Sequence, residues 1–251
     1  MKIKCPIASK IGKLTTISLL DMELVALMKR TDTKFVVNKS QLLPILERIT
    51  CDYKVLEIDG NSIMSYSSLY FDTTNHKFYH DHHNGKSNRT KIRIRKYIDS
   101  ELCFLEIKQK NGRGETNKSR IPIGDFETNL SKPSHDFITK TTLQSHELTP
   151  TLWNNFERIT LVNLKDKERV TIDFNLFYTM NGHEKSYENL VVIEVKQERF
   201  NRNSPIVRTL KMLKHYPYSF SKYCIGMISL YSDLKYNVFK NKLIKINKIT
   251  T

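Results

Sequence analysis

No stretch of the 251-residue chain approaches the roughly 20 consecutive apolar residues that a membrane-spanning helix needs. The N-terminus opens with Lys2 and Lys4, but the apolar run and small-residue cleavage site of a secretory signal do not follow. The four cysteines (Cys5, Cys51, Cys103 and Cys224) are far apart and form no CxxC pair. A zinc site or disulfide framework is therefore not expected, and a reducing, cytoplasmic compartment is. There is no internal repeat. Acid is scarce as well: 26 Asp and Glu face 41 Lys and Arg, a net charge of +15. Such an excess repels itself unless an anion answers it, whether nucleic acid, a membrane face or a small polyanion. What is abundant is core material. An apolar fraction of 39%, with 12 Phe and 12 Tyr, excludes a disordered tail and suits one large domain or two small ones.

The pattern along the chain is strand-rich. Ile17 to Met28 suits a short amphipathic helix or an added strand. Arg30 to Val37 (RTDTKFVV) reads as a strand with Arg30, Asp32 and Lys34 on one face. Asn38 or Ser40 can cap a helix through Leu42, Leu43, Leu46 and Ile49. Further strands are expected at Ser65 to Asp72, Lys91 to Ile98, Leu102 to Lys110, Asn117 to Ile123, Asn155 to Asn163, Glu168 to Leu176 and Asn189 to Gln197. Pro122 implies that Asn117 to Ile123 lies at an edge or ends there. Phe78 to His83, ahead of Asn84-Gly85, reads as a loop, and short helices are expected between Ser131 and Thr151. Helices are also expected from Pro205 to Lys214 and from Ser219 or Ser221 onward. The Lys-rich end after Asn237 reads as a solvated arm. About eight antiparallel strands with sparse helices can close into a barrel, which removes exposed edges.

The charges sit at alternate strand positions. Lys91, Arg93 and Arg95 share one face, with Ile92, Ile94 and Lys96 on the other. Phe104, Glu106, Lys108 and Lys110 share a face of the next strand, Lys118 and Arg120 alternate on the one after, and Glu194 and Lys196 on the last. An antiparallel sheet with one solvated polar face gives the same alternation. The alternative is an inward cationic wall, which requires an anion, since two like charges about 4 Å apart repel by roughly 4 kcal/mol at an effective dielectric near 20. Arg forks and Lys point charges both suit phosphate oxygens, at about 1.5–3 kcal/mol per charge-assisted hydrogen bond. Glu194, between apolar residues in VVIEVK, reads either as a salt-bridge partner or as a ligand for Mg²⁺ or Mn²⁺, with Glu106 and Asp32 as further candidates. His76, His80, His82 and His83 form an HxHH cluster, but no Cys or His elsewhere completes a tetrahedral metal set.

The stretch SLYFDTTNHKFYHDHHNGKSNRTKIRIRKY, followed by LEIKQKNGRGETNKSR and then FERITL, ERVTIDFN, VVIEVK and SFSKY, resembles the VTC domain. That is the polyphosphate polymerase domain of the vacuolar transporter chaperone type, in the wider triphosphate tunnel metalloenzyme (CYTH-like) superfamily. The resemblance runs over roughly residues 30 to 230. It implies an α+β fold: a closed antiparallel eight-stranded β-tunnel with flanking helices, spanning residues 30–232. Residues 1–29 would be a peripheral segment and 233–251 a basic tail. Carried over by motif, the phosphate ligands would be Lys34, Arg93, Arg95, Lys108, Lys118, Arg120, Arg158, Arg169 and Lys222. Lys196 beside Glu194 and Ser221 beside Lys222 complete the set, and Ser219 is a further hydroxyl. Glu194 would be the metal ligand. Arg93, Arg95, Lys108 and Glu194 would carry catalysis.

Two departures from the family pattern stand out, the first bearing on the branch and the second on Arg169. Many tunnel triphosphatases open with an ExExK strand, where this chain has Arg30, Asp32 and Lys34, leaving one acid and arguing for the polymerase side. An RVR-like strand has its second cation where Thr171 stands here. The resemblance thus implies a stand-alone, soluble polyphosphate polymerase that moves the γ-phosphate of ATP onto inorganic polyphosphate with Mn²⁺ or Mg²⁺. The alternatives are a tunnel triphosphatase and a non-catalytic polyanion-binding module. Nucleic acid as the main partner would require outward-facing cations beside base-stacking aromatics, which the inward alternation does not supply.

Overall fold

The computed structural model describes residues 6–22, 30–113 and 115–250. The chain begins with α1 (Pro6–Ile11), β1 (Thr16–Ile17) and α2 (Leu19–Met22). The remainder of the element expected over Ile17 to Met28 lies outside the described residues. β2 (Thr31–Asn38) leads through a 3₁₀ turn into α3 (Leu42–Ile49). The Asn38 side chain starts that turn by accepting from the Ser40 amide at 2.8 Å. Leu42, Ile45, Leu46 and Ile49 then bury the expected stripe. The middle of the chain carries β3 (Lys54–Leu56), β4 (Met64–Asp72), α4 (Lys77–His83), β5 (Arg89–Tyr97), β6 (Cys103–Lys110), β7 (Thr116–Ile123) and α5 (Lys132–Thr142). The last third carries β8 (Thr149–Asn163), β9 (Glu168–Met180), β10 (His183–Tyr187), β11 (Leu190–Gln197), α6 (Pro205–Met212), α7 (Lys222–Leu230) and α8 (Lys240–Thr250). Pro205 at the first turn of α6 and the Ser204 and Ser221 caps fix where the late helices start. No helix among the described residues is long and apolar enough to cross a membrane.

The strands form one sheet with the path β2-β11-β9-β8-β4-β5-β6-β7, antiparallel throughout. β10 adds to β9, β3 adds to β8, and β1 runs parallel to β3. Pro122 lies on β7, an end of that path, as expected of a residue that cannot donate to a ladder. The expected α+β antiparallel sheet with flanking helices is present, but among the described residues the sheet has eleven strands, eight of them on this path, and no pairing joins β2 to β7, so the expected closure is not seen. Part of the outer edge of β2 is occupied by another segment, as the Tyr218 amide donates to the Lys34 carbonyl at 2.6 Å. The sheet nevertheless curls. Lys34 on β2 is close enough to act on Lys108 of β6, and Arg30 and Asp32 act on Lys118 of β7.

The outer face is apolar. Phe35, Val37, Ile159, Ile172 and Ile193 pack under α1, α3 and α6, while Leu69, Ile92, Ile94 and Leu105 pack under α5 and Phe78. One half of the inner face is filled by α7, where Tyr223, Ile225 and Met227 join Leu152, Leu176 and Tyr178 in a second buried cluster. A Cβ on Gly226 would lie 2.6 Å from both Leu152 Cδ2 and Tyr178 Cδ1, so only glycine lets α7 press this closely onto β8 and β9. The end of the chain is not the solvated arm expected from its lysines. α8 packs on β2 and β11, buries Ile246 and has its Ile249 carbonyl bound by Asn38 Nδ2 at 2.5 Å. Spaced apolar residues give α8 a face that its charge disguised.

Candidate active site on the inner face

The inner positions of β4 to β7 line up in rows across the strands. Lys91, Lys108 and Lys118 stand side by side. The next row reads Tyr70, Arg93, Glu106 and Arg120, and the one after it Ser68, Arg95, Phe104 and Pro122. The first row sets like charges directly opposite one another, an arrangement that destabilises a sheet by about 0.2–1 kcal/mol per pair. In the second row Arg93 donates from Nε and Nη2 to Glu106 at 2.7 and 2.6 Å, and from Nη1 to Tyr70 Oη at 3.1 Å. Burial alone would push the Glu106 carboxyl up, but Arg93 and Arg95 hold it down at about 2. Arg95 is buried, donates to Ser68 Oγ at 3.3 Å and lies over the rings of Tyr66 and Phe156. Arg120 rests on the Phe104 ring at 4.6 Å.

The opposite wall is organised in pairs. Glu194 on β11 sits between Lys34 of β2, at 3.2 Å, and Lys196, at 2.9 Å. Lys196 also donates to Thr171 Oγ1 at 2.9 Å. Burial pushes Glu194 up, yet Lys196, Lys34 and Arg158 together hold it well below the usual carboxylate range. Burial also takes the Lys196 ammonium down to about 8 against the pull of Glu194. Asp173 on β9 accepts from Arg158 Nε and Nη2 at 2.5 and 2.8 Å, a bidentate fork, and from Lys222 Nζ. Lys222 lies 4.1 Å from the centre of the Phe156 ring. Burial drives Lys222 down to about 7 despite Asp173, with Arg158 adding to the shift. Arg169 stands opposite Lys196 across the ladder. Arg30 turns to Asp32 at 2.9 Å.

The curled sheet therefore brings Lys34, Arg93, Arg95, Lys108, Lys118, Arg158, Lys196, Lys222 and Glu194 around one concave face. Ser221 joins them indirectly: its Oγ accepts from Lys91 Nζ at 2.9 Å and caps α7. Arg120 and Arg169 lie at the margins, and the Ser219 hydroxyl faces Lys242 of α8 instead, at 3.2 Å. Sequence reasoning missed Asp173 and Tyr70. The signal for Asp173 was present, as it continues the inner register of Arg169 and Thr171 along β9. Its partners come from β8 and α7, and nothing local announces them.

A group of three or more His, Cys, Asp or Glu side chains able to hold a metal does not occur among the described residues. The histidine segment is a helix, α4, rather than a loop, and successive side chains of HxHH point to different sides of it. The helix forms because Asp72 caps it from a distance, accepting from the Phe78 and Tyr79 amides at 2.8 and 2.9 Å. Asp72 also accepts from the Tyr223 hydroxyl, which ties α7 to the same anchor. For a divalent ion, Glu106 and Asp173 are held by guanidinium groups, whereas Glu194 faces the two ammonium groups of Lys34 and Lys196. One carboxylate on a concave face lined with cations fits a hard cation that keeps its remaining sites for waters and phosphate oxygens.

Residues 29–231 match the family model described as the VTC domain. No curated protein matches the chain. Among solved structures, a putative adenylyl cyclase from Hippeastrum, HpAC1, described as having a dominant triphosphatase activity, is 14% identical. The alignment covers 81% of this chain and 97% of that one, with a TM-score of 0.51, and indicates a shared fold. A putative adenylate cyclase from Vibrio parahaemolyticus is 10% identical over 79% of this chain and 98% of its own, with a TM-score of 0.45.

Proposed function

The chain belongs to the VTC-domain family, and on that premise we propose that it is a metal-dependent polyphosphate polymerase acting on ATP and inorganic polyphosphate. The observation that carries this reading is the row Lys91, Lys108 and Lys118, which among the described residues makes no ion pair and faces the same concavity as Arg93 and Arg95. A linear phosphate chain turns that repulsion into attraction.

The residues divide the work. With Glu106 on Nε and Nη2 and Tyr70 on Nη1, Arg93 keeps one free N–H on each terminal nitrogen for phosphate oxygens. Arg95 is fixed by packing, so it meets the developing charge without reorganising. Lys34 and Lys196 are point charges that can turn from Glu194 to an entering phosphate. That exchange frees the Glu194 oxygens, which would hold Mn²⁺ or Mg²⁺; such an ion neutralises charge on the transferring group. Lys108, Lys118, Arg158, Arg169 and Lys222 align the rest of the chain so that donor and acceptor phosphates meet in line. The acceptor is already an ionised phosphate, so no protein base is required. Every proposed ligand lies within residues 30–232, which would constitute the catalytic unit.

Incubation of the purified protein with ATP and Mn²⁺ should yield long polyphosphate on a gel. If ADP and orthophosphate are the only products, the polymerase reading fails. A triphosphatase then takes its place, the reading favoured by the activity described for the Hippeastrum protein. Binding of polyphosphate without any turnover would leave only the polyanion-binding module.

A further inference from the structure

We infer that Lys242 of α8, together with Arg89 of β5, forms a distal subsite for the part of a polyphosphate chain that extends beyond the first three phosphates. This rests on the polyphosphate reading above and extends it to a residue outside 30–232.

α8 is anchored by buried Ile246 and by Asn38 Nδ2 on the Ile249 carbonyl, so Lys242 is carried on a fixed element. Its ammonium donates to Ser219 Oγ at 3.2 Å. Two residues along, Ser221 Oγ receives Lys91, the innermost member of the lysine row, at 2.9 Å. A single short segment thus bridges a cation on the outer helix to a cation of the concave face. Arg89 lies two positions before Lys91, on the same side of β5. His82 of α4 packs on Phe239, as does Lys242 at 5.5 Å from the ring centre. His82 feels the charges of Lys91, Arg89, Lys242 and Lys34 together, and its buried Nδ1 has no hydrogen-bond partner. Among the described residues, none of Lys91, Arg89 and Lys242 takes part in an ion pair.

A line of unpaired cations leading out of a phosphate site fits a repeating linear anion. Such a chain would meet Lys242 only after passing Lys91, so a triphosphate held on the inner face would not reach it. Chain length is then what Lys242 discriminates.

The test measures affinity for tripolyphosphate and for polyphosphate of about 60 units, in wild type, Lys242→Ala and Lys242→Arg. Lys248→Ala, which removes the same charge from the far end of α8, is the control. One charge-assisted contact corresponds to about tenfold or more in affinity. Lys242→Ala should weaken long-chain binding by about tenfold, leave tripolyphosphate binding unchanged, and be rescued by Arg. The Lys248→Ala control should match wild type for both ligands. Equal weakening of both ligands, no weakening of either, or the same loss in Lys248→Ala would overturn the subsite while leaving the polyphosphate reading intact. If wild type binds neither ligand, both fall together.

Discussion

The two walls of the concave face are built on opposite electrostatic plans. On the wall of β2, β8, β9, β11 and the start of α7 four cations are paired with two carboxylates: Lys34 and Lys196 with Glu194, Arg158 and Lys222 with Asp173. On the inner faces of β5, β6 and β7, among the described residues, only Arg93 is ion-paired with a carboxylate, and Lys91, Lys108 and Lys118 stand opposite one another. The matched wall is preorganised, its side chains held by bonds that persist without a ligand. The unmatched wall stores repulsion that a bound anion relieves. Stability and affinity should therefore respond in opposite ways to substitutions on the two sides.

The sharpest way to break this contrast is at Asp173. Asp173→Asn leaves Arg158 and Lys222 buried with no counter-charge, and a broken buried pair costs about 3–5 kcal/mol. Chemical denaturation should show a loss of that size, partly restored by added tripolyphosphate, which supplies the missing anion. A loss below about 1 kcal/mol would mean that the matched wall does not depend on its pairs. The second test is Glu194→Gln, which keeps the shape but removes the proposed metal oxygen. Turnover should fall by about 10²–10³, as expected when several kcal/mol of charge stabilisation is lost, with triphosphate affinity nearly retained. Equal losses in affinity and turnover would make Glu194 a binding residue only.

On the unmatched wall the sign should reverse. Lys108→Ala relieves repulsion from Lys91 and Lys118, so thermal stability without ligand should be unchanged or slightly raised, by about 0.2–1 kcal/mol. Tripolyphosphate affinity should nonetheless drop about tenfold or more, the equivalent of one charge-assisted contact. A destabilised variant with normal affinity would show that Lys108 is structural.

These two walls differ in how far the sequence discloses them. Alternation in KIRIRKYI and LEIKQK places Arg93, Arg95, Glu106 and Lys108 on one face, because a strand's period is two and the signal is local. The pairing of Asp173 is not local. Its helix partner, Lys222, lies 49 residues away, on an element whose approach depends on Gly226. The same limit hid α4, whose cap is Asp72 rather than a neighbouring residue, and the lack of pairing between β2 and β7 among the described residues. Periodicity reports which face a residue occupies and is silent on which strand edges meet. The apolar stripe of α8 was legible in principle, but four lysines interleaved with it made the segment look solvated.

The smallest expected effect is a pH dependence centred on Lys222. Burial lowers Lys222 to about 7, from 10.5 in the unfolded chain. Between those values the unfolded chain binds more protons, so this group's contribution to stability is complete above about 10.5 and is lost as pH falls through about 7. Phosphate binding should move the other way. An anion favours the charged ammonium, so binding takes up a proton wherever the free protein has released it. Affinity should weaken as pH rises from 7, by at most about tenfold per unit for one such group. Lys196 and Lys108, both lowered to about 8, extend the same trend to higher pH. Lys222→Arg keeps its charge throughout and should flatten the lower part of the profile, leaving the Lys196 and Lys108 portion. If wild type and Lys222→Arg show the same pH profile between 7 and 8, Lys222 is not a phosphate contact, and the matched wall serves the fold alone at that position.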